Sequence, residues 1–354
     1  MDAQVWASVG RHTCGELTIK RPDASAKEHQ KEPSSNFQGA KFKWPARVVC
    51  PPGSACSKIF HAMSGLAPLL AAAPAGSRFG PHFGDLLNQL RHAGPKRLMV
   101  ITDFDQTLTT YFGKDGQLGD QCHDIILHHL DLSEVSPEVA QTLRELNEWN
   151  HITESERMAR CGNDPLRRSQ ATRQWFERFH KLSSEEGLKR FAKHCVAKSN
   201  VRAREKIQET FKWLETWDVP LLLVSAGLRE LLVPVLENAG APLPSNLSLL
   251  ANSLDEATVS VTSREKQLAL ERVPDFKLRA QDRSHVLLLG DKPSDCSPLE
   301  GLPESPALKV GFLGQPSEDR FEEYLKFFYA VLVGDASMDF VNCLLDTVSS
   351  TSVM

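Results

Sequence analysis

Asp103 and Asp105 stand two residues apart in Leu98–Thr110, directly after the apolar run Leu98–Thr102. A run of Leu, Met, Val and Ile has the pattern of a strand buried on both faces of a parallel sheet. Two carboxylates at its carboxyl end repel each other and lose hydration unless a cation lies beside them. The bland alternative is a solvated acidic turn. Two later stretches argue against it. Leu221–Val224 runs into Ser225-Ala226-Gly227, and His285–Leu289 runs into Gly290-Asp291-Lys292-Pro293-Ser294-Asp295. In open α/β sheets the carboxyl edge is where ligands bind.

Acids at two strand ends, a hydroxyl at a third and a nearby lysine suit one chemistry, phosphoryl transfer through an aspartyl phosphate. A phosphate monoester repels an anionic nucleophile, so a divalent cation and an ammonium must neutralise it. Mg²⁺ takes hard oxygen ligands and binds through a few carboxylates. Asp103 and Asp291 are the natural ligands, with the Asp105 backbone carbonyl as a third. Asp103 is then the nucleophile. Asp105, beside it but with its carboxylate off the metal, is the general acid to the leaving oxygen. Ser225, the backbone at Ala226 and a lysine would hold the phosphate oxygens. By spacing alone, Ser-Ala-Gly also fits an ordinary turn.

The elements that must position these groups follow in order. Leu86, Leu87 and Leu90 sit at helical spacing, and Gly94-Pro95 ends that segment. The stretch 113–199 reads as largely helical. Ser136 can cap a helix that opens with Pro137 and carries Val139, Leu143 and Leu146 on one face. Arg202–Thr216 and Leu228–Asn238 read as further helices. Short strands are expected at Leu247–Ala251, Leu308–Phe312 and Ala330–Val333, with a terminal helix over Asp339–Thr347. Strands alternating with helices predict an α/β fold, a doubly wound parallel-sheet core of Rossmann type. The expected organisation is an extension over 1–82, a catalytic core made of 83–112 and 200–354, and a helical cap domain over 113–199 inserted after the first strand.

These residues carry a resemblance. Asp103-Phe104-Asp105-Gln106-Thr107, Ser225, a lysine near 266 and Gly290-Asp291-x-x-x-Asp295 resemble the four motifs of the haloacid dehalogenase (HAD) superfamily. A finer likeness is to its pyrimidine 5'-nucleotidase (cytosolic 5'-nucleotidase III) family. That family's T-D-F-D-M-T-L-S is similar to Thr102–Thr109, its C-H-N-I-I to Cys122–Ile126, its F-S-A-G to Val224–Gly227 and its L-L-G-D to Leu288–Asp291. The resemblance runs from about 83 to 347. It implies a HAD-like fold, Mg²⁺, and a nucleoside 5'-monophosphate substrate, either UMP and CMP or 7-methyl-GMP. It also implies a base-recognising carboxylate at Glu154, with His123 and Trp175 as rings against the base. Trp175–His180 resembles the family's W-Y-T-K-S-H, with Phe179 where the family has Ser. An aromatic residue there favours a flat cationic base such as methylated guanine. The family's F-N-K-H-D aligns with Thr262–Lys266. Without a gap Arg264 takes the lysine position, and with a two-residue slip Lys266 does. Lys266 is preferred because a compact ammonium is what the position uses.

Composition bounds the rest. The chain has 354 residues, a formal net charge of −4 and 41 % hydrophobic residues, ample for a large α/β domain with a smaller insert. That balance gives no electrostatic footprint for nucleic acid. Eight cysteines form no C-x-x-C pair, so neither a zinc nor a redox motif is indicated, and a reducing, cytoplasmic compartment is expected. Residues 1–80 hold ten Lys/Arg against five Asp/Glu, which suggests either a disordered extension or organelle targeting. No membrane-spanning run is present, since Met63–Gly76 is short and interrupted by prolines. The sequence leaves the oligomeric state open. Two other readings remain. One is a phosphatase or phosphotransferase for another small phosphate ester, and the other is a catalytically silent binding protein.

Overall fold

The computed structural model describes residues 67–161, 165–302 and 305–350. Seven strands form its sheet: β1 (Arg78–Phe79), β2 (Leu98–Thr102), β3 (Leu221–Leu228), β4 (Leu247–Asn252), β5 (His285–Gly290), β6 (Ala307–Leu313) and β7 (Ala330–Val333). Their order is β1-β7-β6-β5-β2-β3-β4. All neighbours pair in parallel except β1, which runs antiparallel to β7. The fold is therefore α/β, a mostly parallel sheet in which β2 lies inside, between β5 and β3.

Every residue of β2 is buried. Side chains alternate across a strand, so Leu98 and Val100 enter one apolar layer while Met99 and Ile101 enter the other. The first layer is covered by helices α1 (Phe83–Ala93), α6 (Ile207–Thr216), α7 (Arg229–Asn238) and α11 (Asp339–Ser349). The second is covered by α8 (Ala269–Arg272), α9 (Pro274–Arg279) and α10 (Glu318–Tyr324). Helices on both faces explain why the strands read as unbroken apolar runs rather than alternating ones.

Between β2 and β3 lie α2 (Cys122–His129), α3 (Pro137–Cys161), α4 (Pro165–Glu185) and α5 (Ala192–Lys198). The Ser136 hydroxyl accepts the Val139 amide at 3.3 Å, the expected cap of α3. Val139, Leu143 and Leu146 are buried, as are Trp175, Phe176 and Phe179 of α4.

Several expectations change. The folded part begins before residue 83: Arg78 and Phe79 pair with Val331 and Ala330, and Leu69 is fully buried. An edge strand of two residues is too short to show periodicity. Residues 1–66, with the targeting question they raise, lie outside the described residues. Strand β3 does not stop at Val224 but runs to Leu228, with a register shift against β4 between those two residues. Ser225-Ala226-Gly227 is thus irregular strand rather than a turn. The helix expected over Arg202–Thr216 starts only at Ile207. Lys206 has φ +65°, a left-handed conformation that breaks the pattern.

The residues before that break are extended for a reason. Ala203 bridges Thr109, and the Arg204 amide donates to Leu108 O at 2.8 Å. This brings the buried Arg204 guanidinium under the loop that follows Asp105. It donates to Thr107 O, Ala336 O and Gln106 O, each at 2.7 Å, and lies over the Phe312 ring at 4.1 Å. Burial lowers its pKa to about 10, which still leaves it charged at neutral pH. Arg204→Ala would strand these three carbonyls in a dry interior. It is expected to destabilise the fold by about 3 kcal/mol or more, read as a lower urea midpoint at unchanged slope. A loss below about 1 kcal/mol would show that water replaces the guanidinium.

Candidate active site

The site is built at the carboxyl ends of β2, β3 and β5. Asp103 follows the last residue of β2 and is held by its own amide, which donates to Leu289 O of β5 at 3.1 Å. The chain then turns tightly. Amides of Thr107, Leu108 and Thr109 all point to Phe104 O, and the Gln106 amide donates to the Thr109 hydroxyl at 2.8 Å. Gln106 sits at φ +59°, the left-handed conformation this turn requires.

Lys266 comes from a 3₁₀ turn over Lys266–Leu268. Its Nζ lies 2.5 Å from Asp103 Oδ1 and 2.8 Å from Asp295 Oδ1, and its side chain is only 5 % exposed. Burial opposes its charge, but Asp103 and Asp295 outweigh burial and hold its pKa well above the ordinary lysine value. Arg264 is exposed.

Asp295 spends both oxygens on fixed partners. Oδ1 faces Lys266, and Oδ2 accepts the amides of Asp291 at 2.9 Å and Lys292 at 2.8 Å. Burial works against its ionisation, yet Lys266 and the Lys292 amide keep its pKa below the usual range. Gly290 permits this packing, because a Cβ there would lie 2.6 Å from Asp295 Cβ. Asp295 stood in the sequence as half of a motif without a role. Its four-residue spacing from Asp291 was the available signal.

Asp291 is buried, and its Oδ1 has no hydrogen-bond partner. Burial raises its pKa well above the carboxylate range. Burial likewise pushes Asp103 up to about 6, against the pull of Lys266. Oxygens of Asp103, Asp291 and Asp295 all lie within 4.8 Å of one another. Three buried carboxylates share the Lys266 ammonium, with Lys292 Nζ 3.9 Å from Asp291 Oδ2, and the other Asp291 oxygen is orphaned. An all-oxygen donor set of this kind fits a hard divalent cation.

Asp105 points the other way. Its Oδ1 accepts the amide of Cys122, the first residue of α2, at 3.0 Å. Burial raises its pKa, and His123 and the Cys122 amide partly offset that rise. The insert thereby meets the site through a helix amino terminus. Ser225 lies beside that junction. Its Oγ accepts the Gly227 amide at 3.0 Å, and a Cβ on Gly227 would lie 2.5 Å from Cys122 Cβ. The half-buried Ala226 is bonded through its carbonyl to Asn252 at 2.8 Å.

Of the expected base-side residues, His123 stands edge-on to Trp175, with ring centres 5.7 Å apart. Trp175 is 3 % exposed, stacks on Phe179 and donates its indole N–H to Leu146 O at 3.0 Å. Its polar edge is therefore used inside the insert. Glu154 lies in α3, and its side chain falls outside the described residues. One contact had no sequence signal. Arg173 of α4 forks onto Glu265, with Nε 3.2 Å and Nη2 2.7 Å from its two oxygens, immediately before Lys266.

A doubly wound sheet with a helical insert after the first central strand, and buried carboxylates at its carboxyl edge, defines a HAD-type phosphohydrolase. A family model described as pyrimidine 5'-nucleotidase (UMPH-1) matches residues 106–349. The chain belongs to the pyrimidine 5'-nucleotidase family and is a 5'-nucleotidase of that type. It is 27 % identical over 277 residues to the 7-methylguanosine phosphate-specific 5'-nucleotidase of Gallus gallus, covering 73 % of this chain and 91 % of that protein. It is 26 % identical over 289 residues to the Homo sapiens protein of the same name, covering 74 % and 88 %. Among solved structures, cytosolic 5'-nucleotidase IIIB bound to cytidine shares the fold, with a TM-score of 0.65 and 22 % identity over 81 % of this chain and 97 % of that one. Among the described residues no helix is long and apolar enough to cross a membrane.

The orphaned Asp291 oxygen has a measurable consequence. Magnesium is expected to raise the melting temperature of the wild-type chain, by about 2.7 kcal/mol of stability at a hundred times its dissociation constant. Asp291→Asn should remove most of that increment while melting cooperatively on its own. A wild-type melting temperature indifferent to magnesium would refute the fit.

Proposed function

We propose that this chain hydrolyses nucleoside 5'-monophosphates to nucleoside and phosphate through an aspartyl phosphate on Asp103. The observation that carries this reading is the Lys266 ammonium held 2.5 Å from the Asp103 carboxylate, beside the orphaned oxygen of Asp291. Mg²⁺ would be held by Asp103, Asp291 and the backbone carbonyl of Asp105. When bound it would supply the positive charge that lets a phosphate dianion approach a carboxylate.

In the first step Asp103 attacks phosphorus, and the bond from phosphorus to the ribose 5' oxygen breaks. Asp105, kept protonated more readily by burial, gives its proton to that oxygen. In the second step Asp105 takes a proton from water, whose oxygen attacks phosphorus and releases phosphate from Asp103. Lys266, Ser225 and the Ala226 backbone would hold the non-bridging oxygens through both steps. Asp295 positions Lys266 rather than touching substrate. The insert over 113–199 acts as a cap, excluding water and presenting His123 to the base with Trp175 behind it. Glu154 would accept from the polar edge of the base.

7-Methyl-GMP is the favoured substrate, with CMP and UMP as the other members of the class. Two observations support that order: seven curated relatives carry the 7-methylguanosine name, and the partly exposed His123 ring stands edge-on to Trp175, whereas Phe179 is buried behind it. A flat cationic base gains from aromatic surroundings. A panel of 7-methyl-GMP, CMP, UMP, GMP and sugar phosphates, assayed with and without EDTA, tests this reading. Turnover confined to sugar phosphates would overturn it, as would turnover insensitive to EDTA.

Single substitutions test the roles. Asp103→Asn is expected to abolish steady-state turnover. Lys266→Ala should lower kcat/KM by about 10²–10³, as for loss of one transition-state donor, whereas Arg264→Ala should leave it within a few-fold. The reverse ranking of Lys266 and Arg264 would reassign the cation.

A further inference from the structure

Asp120, His128 and His129 form a cluster of metal-ligating types apart from the site carboxylates. Asp120 precedes α2, and the two histidines end it. Successive residues on a helix project about 100° apart, so neighbouring histidines meet one carboxylate only when it lies between their directions. Here His129 Nε2 is 2.8 Å from Asp120 Oδ2, and His128 Nδ1 is 3.3 Å from Oδ1. One donor atom from each of the three residues lies within 4.8 Å of the others.

That spacing matches an ion. A tetrahedral zinc with bonds of about 2.0–2.1 Å sets its ligands about 3.3 Å apart. His128 Nδ1 already has this separation from Asp120 Oδ1, while His129 Nε2 faces the other oxygen, Oδ2, so that seating one carboxylate oxygen and both nitrogens around an ion takes a small rotation of the carboxylate. The carboxylate is oriented from outside as ligating carboxylates are, because Oδ2 also accepts the Asn200 amide at 2.7 Å. The three side chains are 12 %, 29 % and 23 % exposed, which leaves room for entry and for a water as fourth ligand. Two imidazoles and one carboxylate select zinc, copper or nickel over magnesium, the opposite preference to the all-oxygen site.

We propose that Asp120, His128 and His129 bind a divalent transition-metal ion of the zinc class at the base of the helical insert. Asp120 stands where the chain enters the insert, and its partner Asn200 stands where the chain returns to the core. An ion at this point ties both crossings together.

The test uses the full chain, stripped with EDTA, desalted, and kept in excess Mg²⁺ to fill the carboxylate site. Co²⁺ is titrated as a spectroscopic probe, and Zn²⁺ is followed by calorimetry. About one equivalent of Co²⁺ should give the intense visible bands of a four- or five-coordinate, nitrogen-ligated ion, and Zn²⁺ should displace it. His128→Asn and His129→Asn should each weaken binding by at least about tenfold, while Asp291→Asn leaves the bands in place. The proposal fails if wild type gives only the faint spectrum of a six-coordinate, oxygen-ligated ion. It also fails if both histidine variants bind as wild type does, or if Asp291→Asn removes the bands. The wild-type spectrum decides for or against nitrogen ligation even if a variant does not fold.

Discussion

The structure turns on one buried ammonium shared by two carboxylates. Lys266 reaches Asp103 and Asp295 in a region from which water is largely excluded, with Asp291 close by and unpaired on one oxygen. Isolated buried charges of this kind are costly, and removing one partner leaves the others uncompensated. The arrangement therefore requires rigid backbone on every side. It also leaves one Asp291 oxygen without a hydrogen-bond partner, an arrangement that a cation would complete.

The backbone support comes from distant parts of the chain. Asp103 is tied to β5 through its amide, and Asp295 is tied to the turn after β5 through two amides. Tyr324 of α10 donates its hydroxyl to the Asp291 carbonyl, closing the far side. Under the Asp105 loop, Arg204 gathers three carbonyls that no strand or helix pairs. A guanidinium suits that task because its planar fork presents five donors and keeps its charge when buried.

The insert is joined to this machinery at both ends of its function. The amino terminus of α2 gives its first amide to Asp105, and Arg173 of α4 forks onto Glu265, the residue before Lys266. His180 meets the Ser253 carbonyl at 3.0 Å on the same side of the core. Movement of the insert would therefore be felt at Asp105 and at the turn that carries Lys266 together.

Much of this is legible in the sequence. Apolar runs that end in Asp103, Asp105 and Asp291 were informative because buried strands rarely finish in acids without a reason, and the central strands, the α3 cap and the doubly wound plan followed from pattern alone. The local signals failed where a tertiary partner overrode them. Arg202–Lys206 looked helical but is not, because Arg204 reaches carbonyls about a hundred residues away in sequence and Lys206 turns left-handed. Arg78–Phe79 joined the sheet through a partner near the other end of the chain. The choice between Arg264 and Lys266 was a matter of two residues of alignment, and the 3₁₀ turn that buries Lys266 decides which of them faces Asp103 in the fold. The sequence by itself determined which residue types were available at the strand ends and the chemistry they could perform. Only the tertiary structure decided which charges meet, because a contact between residues 163 apart depends on how the whole sheet closes, and no local periodicity carries that information.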